Sequence, residues 1–481
     1  DKAVGLMWDP LQKWDGENIA PSALFASPNW VDVTLKSENP VPENVLFQND
    51  HLLGLFLPSI PGWVRENNEE AEKPYELGPG GELRLSCWLF GLETEEIPDV
   101  VLAYIDRFGL PPLPEKPRSY EETLRMCNLP LEPPKRFGRL IGLVSELEGQ
   151  TLDALEGQAP DGSWKFRMDP GNTSRLMRFA PHRKTLGPEG DSTLGTCTFQ
   201  RRRAIALWRY ARLTGNEAVL EKALKALDYI DRNFTRPEGA QTWEVPLHCP
   251  DILAAGYGVQ LYLEAFKVTG ERRYLERARY WARTGLPFVY FWEAPDRPTM
   301  MLFADIPVLG SSYYKVPWFG KPVQWCGLAY ATDLQRLAYA LNELGEEEEA
   351  KFWRHIAEGM TICGMEMQIE KGPRRGNYPD SVSLTYQYKR NDPGIIRPHL
   401  IAQNIWMLTH PDLAVVDFFT RILKTSEGRI HISAESRIEE ARLEGDVLRL
   451  RLVSPEGKTR IISQLIISPV AEPKSLRRNG K

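Results

Sequence analysis

The chain has 481 residues, about three times a typical single-domain length, so two or three structural units are expected and a single small domain is excluded. Hydrophobic residues make up 42% and charged residues 26%, an ordinary composition that excludes bulk disorder, and no apolar run approaches the roughly 20 residues needed to cross a bilayer. With 59 Lys plus Arg against 65 Asp plus Glu, the formal charge of -6 offers no basic field for a phosphate backbone, so neither nucleic acid nor a membrane is an expected partner.

Residues 1 to about 110 carry short apolar runs, among them Val45-Leu46-Phe47, Leu55-Phe56-Leu57 and Leu83-Arg84-Leu85, separated by Pro, Gly and Asn. The pattern predicts strands and turns, and so an antiparallel β domain over 1–110. Gly78-Pro79-Gly80-Gly81 is the clearest turn signal in it. Two proline clusters, Pro111 to Pro117 and Leu129 to Pro134, then bracket a short helical stretch, and 111–135 reads as a stiff linker. The first residue is Asp1 and no signal-peptide pattern stands at the start, so the amino terminus is expected to be processed or incomplete.

From 136 to 425 the period changes to that of helices, predicted over 137–156, 196–213, 217–233, 251–269, 271–284, 324–344, 346–364 and 397–409. Some connections are two or three residues long and others run to 20 or 40. Short ones join antiparallel neighbours in an αα-hairpin, whereas long ones carry the chain onward and accumulate functional residues. Leu213-Thr214-Gly215 followed by Leu220 and Ala223 recurs 55 residues later as Val268-Thr269-Gly270 followed by Leu275 and Ala278. Leu344-Gly345 followed by Ala350 and Phe352 is a looser third copy. A unit of about 50 residues over this span leaves room for close to six hairpins, hence an α/α toroid, with an open α-solenoid as the alternative. After about 426 the chain reads as β again, in Arg429–Ser433, Val447–Leu452 and Ile461–Ile467, which predicts a small carboxy-terminal sheet over 426–481.

A β-rich beginning, a proline-rich linker, helical hairpins with a Thr-Gly repeat and a final sheet together resemble the six-hairpin glycosidase superfamily and the toroidal polysaccharide lyases. The resemblance covers nearly all of the chain. It implies a multidomain α+β protein whose central (α/α)6-type toroid is flanked by a β domain and a small β-sheet, with glycans bound where long loops meet the inner helices. A polysaccharide substrate would favour an extracellular or periplasmic location.

The loops preceding the first helix of each hairpin are therefore the ones that matter. They hold Ala159-Pro160-Asp161-Gly162-Ser163-Trp164; Gly190-Asp191-Ser192-Thr193; Thr242-Trp243-Glu244 through His248-Cys249-Pro250-Asp251; Asp305, Tyr313, Tyr314, Trp318 and Gln324-Trp325; and Tyr378-Pro379-Asp380-Ser381. Glycoside hydrolysis needs one protonated carboxyl and one ionised carboxyl, and sugar rings stack on flat aromatics. Glu244, Asp191 and Asp380 are the candidate catalytic acids. Trp164, Arg183, Trp243, His248, Tyr257, Tyr313, Trp318 and Trp325 are the candidate substrate contacts.

Each residue also has a plainer reading. Asp161 can shape an Asp-Gly turn, and Asp251 stands where a helix N-cap is needed. Glu244 lies between Trp243 and Val245-Pro246, with no helix to cap. A uronate lyase acting by β-elimination with His248 and Tyr257 is the alternative mechanism, and a non-catalytic glycan-binding protein is a further one. Gln158 through Trp164 also resembles the glutamine-tryptophan repeat of triterpene cyclases, but it occurs once and no Asp-rich acid motif accompanies it. There is no phosphate-binding glycine loop and no clustered His pair, so no cofactor or transition metal is expected. The six cysteines, at 87, 127, 197, 249, 326 and 363, never form C-x-x-C and are expected to be free thiols.

Overall fold

The computed structural model describes residues 2–9, 11–17, 22–26, 52–57, 75–134, 139–166, 192–198, 203–240, 248–291, 301–309, 321–382, 394–426, 428–453, 464–468, 475 and 477. The chain is rich in helices and carries several small β-sheets. It divides into two compact units, Asp1–Pro111 with Phe291–Met301, and Pro112–Tyr290 with Leu302–Lys481.

In the first unit, β1 (Ala3–Met7) pairs antiparallel with β4 (Trp88–Leu92), and β2 (Ser22–Ala26) with β3 (Leu52–Phe56). The expected strand at Leu83–Leu85 is not formed. There the Gln12 side chain takes the place of a ladder, accepting from Ser86 N (2.8 Å) and donating to Ser86 O (2.8 Å), and the strand starts at Trp88 instead. Nor is this unit all β. Ile97–Phe108 is a helix, α1, entered through Pro98 in its first turn, with Asp99 suiting the positive helix end and Arg107 the negative one. The runs at 45–47 lie outside the described residues.

The second unit opens with α2 (Tyr120–Met126), started by a capping box between Ser119 and Glu122. The helices α3 (Arg139–Gly157), α4 (Leu194–Thr198), α5 (Arg203–Thr214), α6 (Glu217–Asn233), α7 (Ile252–Thr269), α8 (Arg272–Thr284), α9 (Gln324–Glu343), α10 (Glu347–Glu366), α11 (His399–Thr409) and α12 (Pro411–Ala414) follow. Successive contacts link α3, α5, α7, α9 and α11 into a row, and α6, α8 and α10 pack outside it as hairpin partners.

Burial patterns explain which helix goes where. On α8 the buried apolar residues Tyr274, Leu275, Ala278, Trp281 and Ala282 form one stripe, and most of the remaining positions are Arg or Glu. On α7 almost every position is buried, as a helix covered on several sides requires. Gly256 and Gly258 permit this crowding: a Cβ at Gly256 would stand 2.9 Å from Asp333 Oδ2 on α9, and one at Gly258 would stand 2.5 Å from the Trp281 ring on α8.

The Thr-Gly repeat has one structural meaning in two places. Thr214 and Thr269 each donate a hydroxyl hydrogen bond to the carbonyl four residues back (2.8 and 2.9 Å), and each accepts the amide two residues on (3.3 and 3.1 Å). The glycine between them has φ +68° or +70°, which stops the helix and turns the chain into its partner. Gly345 ends α9 with φ +80° in the same way, although the apolar position that follows is the buried Trp353 rather than Phe352.

The carboxy-terminal strands β5 (Phe419–Thr425), β6 (Gly428–Ala434) and β9 (Leu465–Ser468) form one antiparallel sheet, and β7 (Arg437–Glu444) and β8 (Val447–Val453) another. The first sheet begins at Phe419, earlier than the expected 426, because Phe418 is built into the helical core with Leu140, Leu147 and Leu213. Among the described residues no helix is long and apolar enough to cross a membrane.

Candidate functional site

One end of the helical row is held together by backbone hydrogen bonds between loops that are far apart in sequence. Gly195 N donates to Glu238 O (2.9 Å), Gly239 N to Cys249 O (3.1 Å) and Asp251 N to Pro237 O (2.8 Å). Ile252 N then donates to Pro307 O (3.1 Å), Leu309 N to Pro250 O (2.9 Å), Val323 N to Asp305 O (3.2 Å) and Val382 N to Pro322 O (2.9 Å). Tyr378 and Ile396 complete the series with a reciprocal pair at 3.0 Å. These segments directly precede or open α4, α7, α9 and α11, so their side chains share the end where the first-turn N–H groups leave positive potential.

Two expected site residues meet there. Trp325, in the first turn of α9, donates its indole N–H to Asp380 Oδ1 at 2.9 Å across a sequence separation of 55 residues. Both are half-buried. A hydrogen bond of this kind favours the ionised carboxyl and fixes its direction.

His248 lies further along the same end. Its Nδ1–H donates to Glu238 Oε1 (2.5 Å); the Glu238 side chain is 6% exposed and that of His248 47%. A buried carboxylate that accepts the Nδ1–H hydrogen bond fixes the direction of the imidazole ring and leaves Nε2 as the nitrogen turned away from Glu238. Glu238 is not among the expected residues. The available signal was its place beside Pro237 and Gly239, ten residues before a loop histidine.

The third acid is Asp305, wholly buried between the end of α8 and the start of α9. Burial pushes its carboxyl well above the usual range, and the nearby N–H groups of Gly327 and of Asp305 itself offset only part of this. Neither carboxyl oxygen has a hydrogen-bond partner among the described residues. Tyr378 is buried too, and its hydroxyl is pushed up by burial first and then by Cys326, Asp305 and Asp380. Asp305 was legible as a loop acid, but its burial was not, beyond the apolar run from Phe303 to Val308.

Other expectations resolve as structure. Trp164 is fully buried, and its indole N–H donates to Ala154 O at 2.8 Å. Hiding an indole of about 200 Å² contributes about 5 kcal/mol, so this ring is core and offers no face to a ligand. Asp161 accepts from Ser163 N (3.0 Å) and Ser163 Oγ (2.7 Å), a local turn, with Gly162 at φ +96°. Asp251 caps α7 through Ala254 N (2.8 Å), and its other oxygen accepts Ala240 N (2.7 Å). Tyr257 is half-buried in the second turn of α7, between the two crowded glycines. Glu244, Asp191, Arg183, Trp243, Tyr313 and Trp318 lie outside the described residues. Among the described residues no group of three or more His, Cys, Asp or Glu side chains could hold a metal ion.

No protein-family model and no curated protein matches the chain. Solved structures similar to it include an unsaturated glucuronyl hydrolase from Bacillus sp. GL1, described as responsible for the degradation of glycosaminoglycan, at 11% identity and a TM-score of 0.31 over 45% of this chain and 58% of that one. The unsaturated glucuronyl hydrolase of Streptococcus agalactiae is similar at 10% identity and a TM-score of 0.35, over 58% of this chain and 65% of that one. The cellobiose 2-epimerase of Spirochaeta thermophila DSM 6192 is similar at 13% identity and a TM-score of 0.22, over 57% of this chain and 98% of that one. The chain thus spans about three-fifths of the length of these glucuronyl hydrolases. Likeness at this level decides neither family nor activity.

Proposed function

We propose that this chain is a carbohydrate-active enzyme that cleaves glycosidic bonds of a polysaccharide or oligosaccharide, as a glycoside hydrolase using paired carboxyls. The observation that supports it is the Trp325–Asp380 hydrogen bond at the loop-bearing end of the row: an oriented carboxylate whose immediate partner is a half-exposed flat aromatic. In this reading Asp380 is the ionised member that activates water or attacks carbon, and Trp325 offers a surface to a sugar ring. Glu244 and Asp191 are the proposed acids opposite it, and Trp243, Tyr313 and Trp318 further sugar contacts. The reading also takes 136–425 as a closed (α/α)6-type toroid. A β domain over 1–110 would precede it through the linker 111–135, and the sheet over 426–481 would follow.

The Glu238–His248 pair favours a second reading, β-elimination on a uronate, with His248 as the base, Tyr257 as its proton-transfer partner and Arg183 neutralising the uronate carboxylate. A panel of neutral and uronate-bearing oligosaccharides, read both for new reducing ends and for the ultraviolet absorbance of an unsaturated uronate, separates the two. Reducing ends alone support hydrolysis, and both signals together support elimination. Silence on both counts against an enzyme and favours a glycan-binding role.

A further inference from the structure

The segment that carries Asp305 is tied on both sides by its backbone. Phe303 N donates to Tyr290 O (2.8 Å), Tyr290 N to Ala304 O (2.9 Å) and Ile306 N to Phe288 O (2.9 Å), while Asp305 O accepts Val323 N (3.2 Å). The backbone therefore places the carboxyl, which has no side-chain partner among the described residues and only the N–H groups of Gly327 and of Asp305 itself near it. Above it stands Gly327 in the first turn of α9. A Cβ added there would come 2.4 Å from Asp305 Oδ1 and 2.6 Å from Met360 Cε, so the space occupied by the carboxyl exists because residue 327 has no side chain.

A glycine inside a helix weakens the helix, and an unpaired carboxyl inside a core weakens the core. The two stand in contact here, a combination of local costs expected where a residue is kept for something other than stability. No cation acts on Asp305 among the described residues. The titratable groups that feel it are Tyr290 and Tyr378, with Cys326 and Asp380 acting on the same Tyr378. A buried carboxylate with no compensating charge takes up a proton rather than remain ionised.

We propose that Asp305 is a positioning residue of the candidate site, a buried acid built under the first turn of α9, the turn from which Trp325 reaches Asp380. This rests on the hydrolase reading and deepens it by placing a second, fully buried acid beneath the helix turn that orients Asp380, two carboxyls in unlike surroundings of the kind that acid–base chemistry exploits. Ionising Asp305 at alkaline pH places a buried negative charge against the first turn of α9, which carries Trp325, and so disturbs the turn that orients Asp380.

The test begins with readouts that need no substrate. At neutral pH the infrared spectrum of the wild-type chain should contain the C=O stretch of a protonated carboxyl, and Asp305→Asn should lack it. The folded carboxyl holds its proton above the ordinary value near 4, so wild-type stability falls as pH rises from about 4 until the folded carboxyl itself ionises. Asp305→Asn should not share that decline, and the Tm gap between the two proteins should widen toward alkaline pH. Asp305→Ser runs the same curve should the Asn variant fail to fold. Absence of the band in the wild type, or parallel Tm–pH curves, overturns the proposal. Turnover then tests positioning: its alkaline limb should move by at least one pH unit in Asp305→Asn, whatever the absolute rate, and an unmoved limb overturns the positioning role even with the protonated acid confirmed. A chain inert toward every glycan but showing the band and the widening Tm gap contradicts the hydrolase reading and leaves the buried acid standing.

Discussion

Glu264 and Asp305 are both buried carboxyls in the same helical unit, and they end in opposite states. Around Glu264 the chain has placed Arg212, whose Nε stands 2.7 Å away, and Lys267, whose Nζ stands 3.0 Å away. Burial alone would push Glu264 up, but Arg212, Lys267 and Arg209 outweigh it and hold the carboxyl at about 2. Around Asp305 there is no cation among the described residues, and burial prevails. Burial alone therefore does not set the state of an acid; the charges placed around it do. The Glu264 cluster also has a visible structural duty. Arg212 donates to Phe418 O (3.1 Å) and Thr420 Oγ1 (3.2 Å) and lies 3.7 Å over the Phe418 ring, so it joins α5 and α7 to the first strand of the carboxy-terminal sheet.

The comparison breaks most readily at Glu264. Glu264→Ala leaves the buried Arg212 and the partly exposed Lys267 without their carboxylate and, chiefly through Arg212, is expected to cost about 3 kcal/mol in denaturant unfolding. Because the folded pKa is depressed, this stabilisation is complete above the ordinary value near 4.5 and is lost as pH falls through about 2. The gap between wild type and variant should therefore close in acid. A cost below about 1 kcal/mol at neutral pH would mean that the cation cage is not what sets Glu264 apart. At the loop end, Trp325→Phe keeps the ring and removes the donor to Asp380, which should lower turnover by about tenfold, the loss of one charge-assisted bond, with little change in Tm. The smallest effect is expected at Asp251. Asp251→Ala should cost about 1–2 kcal/mol by thermal unfolding, through the lost cap on α7 and the lost Ala240 bond, while Asp251→Asn keeps most of the capping.

What the sequence disclosed follows from how local each signal is. The Thr-Gly repeat is local: Gly215 and Gly270 stop helices by backbone conformation, and the following apolar residues recur on a helical period, so α6, α7 and α8 were readable to within a residue of their ends, whereas the one helix expected over 196–213 falls on both α4 and α5. The cap at Asp251 is equally local. Ile97–Phe108 was missed because its β-branched Val100 and Val101 stand in a stretch otherwise punctuated like strands, whereas Pro98 and Asp99 marked a helix start. The site was harder to read because its relations are not local. Trp325 and Asp380 were each singled out for composition, yet nothing within 55 residues of chain announces that one donates to the other. Trp164 was misread for the same reason: a tryptophan beside an acid looks alike in a cleft and in a core until its burial is known. Asp305 and Glu238 became informative only through their surroundings, the one by its complete burial against Gly327 and the other by having His248.

The central claim is that the end of the row carrying Trp325 and Asp380 cleaves glycans, and the turnover of Asp380→Asn against a substrate found in the oligosaccharide panel tests it most directly. The substitution keeps the volume and a hydrogen-bonding oxygen for the Trp325 indole but removes the charge. The account predicts a loss of 10²-fold or more in reducing-end release, with Tm within about 2 °C of the wild type. Full activity in Asp380→Asn, or a fall in activity that merely tracks a fall in Tm, would contradict it.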